Sequence, residues 1–310
     1  MIKFSIKMSL LNCLSNQSIW IQYFEYKVQN GHLGEDETQD LFLFIRNQEY
    51  ISILNKITAK GFSIPYKKQI QKIDSTKKRV VYTFPKEENY ILKLLTYLLI
   101  RVYDGAFSSN LYSFRANYSV KQAFQHILST SNIDQYYTYK IDISDYFNSI
   151  DLDLLFPSLH KILSDDFPLY EFIEAILKNP FVVENGEIKQ EKKGVMAGCP
   201  IAAFLANVYL SDLDKMFAEE EIIYCRYSDD IIIFTKNKDA QERIKQKLLT
   251  TLENYHLTVN TAKEVATISN EPWTFLGLKY DNGEIDISDI ALKKIKAKMR
   301  RKTRALIRWK

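Results

Sequence analysis

The sequence predicts an α+β fold in which an antiparallel sheet is backed by helices. Three observations predict it. From residue 137 the segments run strand, helices, hairpin, long helix, hairpin, helix, strand. Asn185-Gly186 and Asn282-Gly283 each mark a tight turn between strands. A chain of 310 residues with 46% hydrophobic and 26% charged residues has ordinary globular composition and can bury a sizeable core, arranged as two or three subdomains.

The elements follow in order. Residues 1–14 are weakly apolar, carry Lys3 and Lys7 and are interrupted by Asn12, so they do not read as a signal peptide. No apolar run is long enough to predict a membrane span. Leu41, Phe44, Ile45, Ile51, Leu54 and Ile57 recur at helical spacing, which predicts helix over 38–59, stopping at Gly61. Residues 61–84 read as irregular, then extended from Arg79 to Phe84. Pro85 opens a helix that runs to Tyr103 and ends at Asp104-Gly105, and Ser119 caps another that reaches Leu128. Tyr137–Ile143 is a buried strand, followed by helices over 152–163 and 169–177. Phe181-Val182-Val183 and Ile188 flank the Asn185-Gly186 turn. One helix is predicted over 200–218 with Pro200 near its first turn, then a hairpin over 222–234 and an amphipathic helix over 239–255. Strands are expected over 265–268 and 275–280, and a basic helix from near Ser288.

Net charge is only +4, but Lys293 to Lys310 holds ten Lys or Arg and no acid. Such a stripe is either a phosphate-binding footprint or a solvated helix face. The 20 Tyr side chains suit stacking on bases, and an AT-rich coding sequence would enrich them equally. Cys13, Cys199 and Cys225 have neither metal-ligand spacing nor a disulfide framework, so a reduced, cytoplasmic compartment is expected.

The chemistry is concentrated in acids. Tyr227-Ser228-Asp229-Asp230 lies between the apolar runs Ile222–Cys225 and Ile231–Phe234. Adjacent carboxylates at such a tip call for neutralising cations. A third, Asp142, lies in Tyr139-Lys140-Ile141-Asp142-Ile143-Ser144-Asp145-Tyr146-Phe147 at the end of a predicted strand. A polar hairpin tip and a capping aspartate explain either motif alone. Both together read as the metal centre of a nucleic-acid polymerase, where two divalent ions about 4 Å apart serve in-line attack on a phosphate.

Further motifs make the resemblance specific. Tyr-Ser-Asp-Asp resembles motif C of reverse transcriptases, and Asp142 to Phe147 resembles their motif A. Gly194-Val-Met-Ala-Gly198-Cys-Pro200 through Asn207 resembles motif B, and Phe275-Leu-Gly-Leu-Lys-Tyr280 resembles the primer grip. Tyr112-Ser-Phe-Arg115 and Arg79 to Pro85 resemble the fingers motifs. The chain is identified as a bacterial reverse transcriptase, most similar to the defence-associated (abortive-infection type) group and related to retron and group II intron enzymes.

That resemblance implies a right-hand polymerase. Residues 1–76 would be an N-terminal helical extension, 77–135 fingers and 136–285 palm with a fingers insertion over about 152–193. Residues 286–310 would begin a basic thumb that is short or truncated. It implies that Asp142 and Asp229 ligate two Mg²⁺ ions, or Mn²⁺ in their place, with the Ile143 carbonyl assisting and Asp230 supporting. Phe147 would be the gate excluding a 2′-hydroxyl. Arg115, with Arg79 and Lys86 as further candidates, would clamp the triphosphate. Gly198 and Pro200 would shape the nucleotide pocket, and Asn207 would orient it or satisfy buried backbone. Lys263 would stand near the leaving pyrophosphate. Phe275, Leu276 and Gly277 would hold the primer end if they form a turn, and otherwise are strand core. Lys293, Lys294, Lys298, Arg300 and Arg301 would contact nucleic acid.

The implied activity is RNA-directed DNA synthesis from a bound noncoding RNA in antiphage defence, in the bacterial cytoplasm. Expected partners are an RNA template, a DNA primer or cDNA and dNTPs, with an accessory protein or a second copy left open, and no membrane. Untemplated or protein-primed synthesis and a non-catalytic RNA scaffold are the alternatives. Two departures stand out. Ala197 occupies a position where many relatives have Gln, and Lys-Glu-Glu-Asn after Pro85 is more acidic than in intron enzymes.

Overall fold

A computed structural model of the chain describes residues 9–71 and 78–308. The first eight residues of the stretch tested for a signal peptide, and Lys310 at the end of the basic stripe, lie outside it. The elements are α1 (Leu10–Cys13), α2 (Gln17–Gln29), α3 (Glu35–Arg46), α4 (Glu49–Lys60), β1 (Tyr66–Gln71), β2 (Lys78–Thr83), α5 (Lys86–Val102) and α6 (Val120–Leu128). Then come β3 (Tyr137–Asp142), α7 (Tyr146–Ser149), α8 (Leu152–Ile162), α9 (Phe167–Lys178), β4 (Phe181–Glu184), β5 (Glu187–Gln190), α10 (Ala202–Tyr209) and α11 (Ser211–Ala218). The rest are β6 (Ile223–Tyr227), β7 (Asp230–Thr235), α12 (Lys238–Asn254), β8 (Val265–Thr267), β9 (Trp273–Phe275), β10 (Leu278–Asp281), β11 (Glu284–Ile287) and α13 (Asp289–Arg308).

The strands form three sheets, ordered β2-β1-β4-β5, β6-β7-β3-β8 and β11-β10-β9. The second, antiparallel throughout, is the platform for the site. Its strand β7 explains why the 231–234 run is continuously apolar. Ile231 and Ile233 enter a core shared with α5, α8, α10 and α12, whereas Ile232 and Phe234 enter a second core with Phe124, Trp273 and Phe275. Side chains alternate across a strand, so a strand buried on both faces loses its polar positions. The same alternation places Asp230, two residues before Ile232, on the face of the second core.

Four expectations are corrected. The helix over 38–59 is two helices, because Gln48 takes a left-handed φ of 54° between α3 and α4. The helix over 200–218 breaks at Leu210, leaving Pro200 in the turn before α10. The strand over 275–280 reverses at Leu276-Gly277, whose φ values are 49° and 86°. Residues 66–71 are not irregular but form β1, pairing Tyr66 with Thr83 through Gln71 with Lys78, so the division drawn at 76/77 cuts a hairpin. Helix α2 was not anticipated at all; its core side is little more than Trp20 and Tyr23, and Trp20 stacks on Tyr50 with centroids 5.2 Å apart. Among the described residues, no helix is long and apolar enough to cross a membrane.

Candidate metal centre and nucleotide cleft

The tip of the β6–β7 hairpin is a two-residue turn, Ser228-Asp229, closed by the Tyr227–Asp230 pair. Ser228 adopts φ 60°, a conformation that a non-glycine residue keeps only when its surroundings impose it. The Ser228 N–H donates to the Ser113 hydroxyl at 2.8 Å, and Arg226 Nη1 donates to the Ser228 carbonyl at 3.2 Å. Arg226 is wholly buried and clasps Asp214 with both arms, at 2.7 and 2.5 Å, while the Tyr224 hydroxyl donates to the same carboxylate at 2.8 Å. This charged network behind the tip was missed in the sequence. An arginine inside an apolar strand was its one visible sign.

Register brings the acids together. Asp142, the last residue of β3, lies opposite Asp230, and the Ile143 N–H donates to the Asp229 carbonyl at 3.0 Å. Asp142 is 7% exposed and receives the Lys263 ammonium at 2.6 Å and Asn260 Nδ2 at 3.4 Å. Burial, reinforced by Asp142, lifts the Asp229 carboxyl above its ordinary range. Burial, then Asp229 and Asp142, push Asp230 up to about 6. Burial pulls Lys263 down, yet its hydrogen bond to Asp142 and the nearby acids outweigh that and hold its pKa above the usual value. A cluster this negative favours a cation, and Lys263 already supplies one charge.

No group of three or more His, Cys, Asp or Glu side chains forms a ready-made metal cage among the described residues. Mg²⁺ does not need one where substrate phosphates and water complete its oxygen shell. The donors here are hard oxygens on facing strand ends, so the residues fit such an ion.

Five residues along the chain from Asp142, Phe147 sits on α7, half-buried. Its carbonyl accepts from Val195 N–H at 2.9 Å, and a side chain on Gly194 would run into that carbonyl, which fixes the choice of glycine. Asn148 accepts from Ala197 N–H at 2.9 Å, and the Ala197 carbonyl accepts from Tyr82 N–H at 2.8 Å. These bonds lace the 194–198 loop to both α7 and β2. Gly198, with φ 97°, faces the Tyr82 backbone so closely that a Cβ would lie 3.0 Å from its carbonyl oxygen. Arg79, exposed on β2, reaches over the Phe147 ring at 6.0 Å.

Several expectations meet a different environment. Arg115 is not presented for a triphosphate. Its guanidinium bonds both oxygens of the Asp104 carboxylate and the carbonyls of Asp104, Ser108 and Leu111, and it stacks on Tyr118 at 3.7 Å. Every N–H is engaged, so the residue straps its own loop. Lys86 pairs with Asp40 of α3. Asn207 is buried and donates to the Ser113 carbonyl at 3.0 Å, the backbone-satisfying alternative. Phe275 is core, while Leu276-Gly277 forms a turn whose Gly277 carbonyl accepts from Ser288 N–H at 2.9 Å. Lys293, Lys294, Lys298, Arg300 and Arg301 are exposed along α13.

The geometry can be compared with known proteins. Over 134 residues the chain is 28% identical to the Retron Ec83 reverse transcriptase of Escherichia coli, covering 41% of this chain and 42% of that protein. Among solved structures, apo telomerase of Candida tropicalis truncated from its C-terminal domain superposes with a TM-score of 0.59 at 17% identity, over 73% of this chain and 55% of that one. Telomerase of Candida albicans in complex with a fragment of telomeric RNA gives 0.56 at 14% identity, over 73% and 46%. The chain thus spans about half the length of these relatives or less, and the telomerase likeness speaks for the fold alone. The reverse transcriptase (RNA-dependent DNA polymerase) family matches residues 66–280, a span that holds the β1–β2 pair, the paired acids and the 273–280 turn. With well over half of its length inside that match, the chain belongs to the reverse transcriptase family.

Proposed function

We propose that this chain is an RNA-directed DNA polymerase that copies a bound noncoding RNA into DNA. The observation that carries the reading is the register of β3 on β7, which sets Asp142 against Asp230 with Asp229 hydrogen-bonded beside them. Asp142 and Asp229, with the Ile143 carbonyl, would hold two Mg²⁺ ions, and Asp230 would add negative field from the next position. Bound there, the ions would supply charge neutralisation and an acidified 3′-hydroxyl. The chain's own residues do the rest. Phe147 crowds the sugar and so disfavours ribonucleotides. Arg79 is the exposed cation beside Phe147 and takes the phosphate-facing role that Arg115 cannot fill. Lys263, held protonated by the acids, is placed to give a proton to departing pyrophosphate. Gly198 and Pro200 floor the pocket, Leu276-Gly277 supports the primer end and the α13 cations meet the duplex backbone. A role in antiphage defence in the bacterial cytoplasm is part of the same proposal and rests on the motif resemblance.

The test is extension of a DNA primer annealed to RNA, with Mg²⁺ and all four dNTPs. Templated product is expected from the native chain. Asp229→Asn is expected to abolish it while RNA binding persists. Robust synthesis by that variant would remove Asp229 from the metal site. Product without any template would favour untemplated synthesis, and RNA binding with no product would favour a scaffold.

A further inference from the structure

Phe147 does not stand alone at the candidate site. The Phe114 ring meets it edge to face, with centroids 6.2 Å apart and planes at 69°. Phe114 is 38% exposed, yet its backbone is left-handed, with φ 53°. Bulky residues rarely adopt that conformation, and it persists only where neighbours dictate it.

Here both flanks do. On one side, Ser113 is fully buried; its hydroxyl receives the Ser228 N–H at 2.8 Å, and its carbonyl receives Asn207 Nδ2 at 3.0 Å. Tyr112 N–H donates to the Arg226 carbonyl at 2.9 Å, extending the tie to β6. On the other side, Arg115 is strapped to Asp104, Ser108 and Leu111. Residue 114 is caught between two anchors and its ring is turned outward. Among the described residues its one ring contact is with Phe147, whose own backbone is pinned through Val195. The loop that steadies the acidic hairpin therefore also delivers an aromatic ring to the gate.

We propose that Phe114 is a second sugar-discriminating residue, acting by backing the Phe147 ring and holding it in the orientation that crowds a 2′-hydroxyl. The inference rests on the assignment of Phe147 as the gate. An aromatic ring packed edge-on loses freedom to swing aside. With that support removed, Phe147 can rotate away and admit a ribose. Phe114 is thus a positioning residue, and its signature is selectivity rather than rate.

Single-nucleotide incorporation by the full chain tests it, comparing kcat/KM for a dNTP and the matching rNTP. Phe114→Gly suits the positive φ, so thermal unfolding should show a fold at least as stable as the native one. Its dNTP-to-rNTP ratio should fall roughly 10-fold, about 1.4 kcal/mol of discrimination. Phe114→Leu, which keeps apolar bulk against Phe147, should recover most of that ratio. A ratio unchanged in Phe114→Gly, while Phe147→Val relaxes it, overturns this inference and leaves the gate intact. If Phe147→Val also leaves the ratio unchanged, the gate assignment falls and the inference falls with it.

Discussion

The Arg226–Asp214 pair shows why single side chains matter behind the acidic tip. Both are fully buried, and Arg226 also holds the Ser228 carbonyl. Removing one member strands the other charge out of water, typically about 3–5 kcal/mol, whereas replacing both by apolar groups of similar size is far milder. Asp214→Leu should therefore destabilise strongly in urea unfolding, and Arg226→Met added to it should restore much of the loss. The double variant should still polymerise poorly, because the tip has lost its carbonyl anchor. Recovery of activity along with stability would show that the pair serves folding only. Lys193 gives a second prediction at this scale. It is 3% exposed, its ammonium donates to the Phe181 carbonyl at 2.9 Å, and burial lowers its pKa to about 8 against the weaker opposing pull of Glu191. The unfolded chain binds that proton more tightly than the folded one, so between the two pKa values stability rises with pH. Relative to Lys193→Met, the native chain should gain about 2 kcal/mol between about pH 7.5 and about pH 9.5. A difference that stays flat would mean the ammonium is better solvated than its burial indicates.

At the scale of elements, the 194–198 loop ties β2 to α7 through glycine. Gly198 needs its φ of 97°, and a Cβ there would lie 3.0 Å from the Tyr82 carbonyl oxygen. Alanine at a positive φ costs more than about 1 kcal/mol even in open space, and here the Tyr82–Ala197 bond lies beside it. Gly198→Ala should lower the thermal midpoint by several degrees and raise the KM for dNTPs. A midpoint and KM both unchanged would mean that β2 gives way freely. Elements with their own local signal were legible in the sequence. The Asn185-Gly186 turn, the Ser119 cap and the doubly buried strands announced themselves through residue type alone. Elements stabilised by partners were not. Strand β1 is mostly polar and exposed, and is held by its pairing with β2. The reversal at Leu276 hid because leucine carries no turn signal. The site divides in the same way. The three acids and Phe147 were readable as motifs, whereas the fate of Arg115 depended on Asp104, a partner that no motif names.

Across the whole molecule, charge is divided unevenly. The net charge is +4, yet α13 alone carries more than that excess, so the remainder of the chain is net acidic. The helix exposes Lys293, Lys294, Lys298, Arg300 and Arg301 together with Ile290, Ile295 and Met299. A surface that is acidic elsewhere repels a polyanion, so attraction to nucleic acid must come from local stripes such as this one. Each phosphate contact releases a counterion and contributes about 0.9 to the slope of log affinity against log salt on duplex. Changing these five cations to Gln leaves the fold untouched, because none is buried. It should weaken duplex binding about equally for every sequence and lower the salt slope by about 2–4. Lys263→Gln is the control: it faces Asp142 rather than the duplex, so it should depress synthesis with the slope preserved. A slope unaltered in the five-fold variant would return α13 to being merely a solvated face and shift the search for the duplex contact to the β1–β2 pair, where Lys67, Lys68, Lys78 and Arg79 lie.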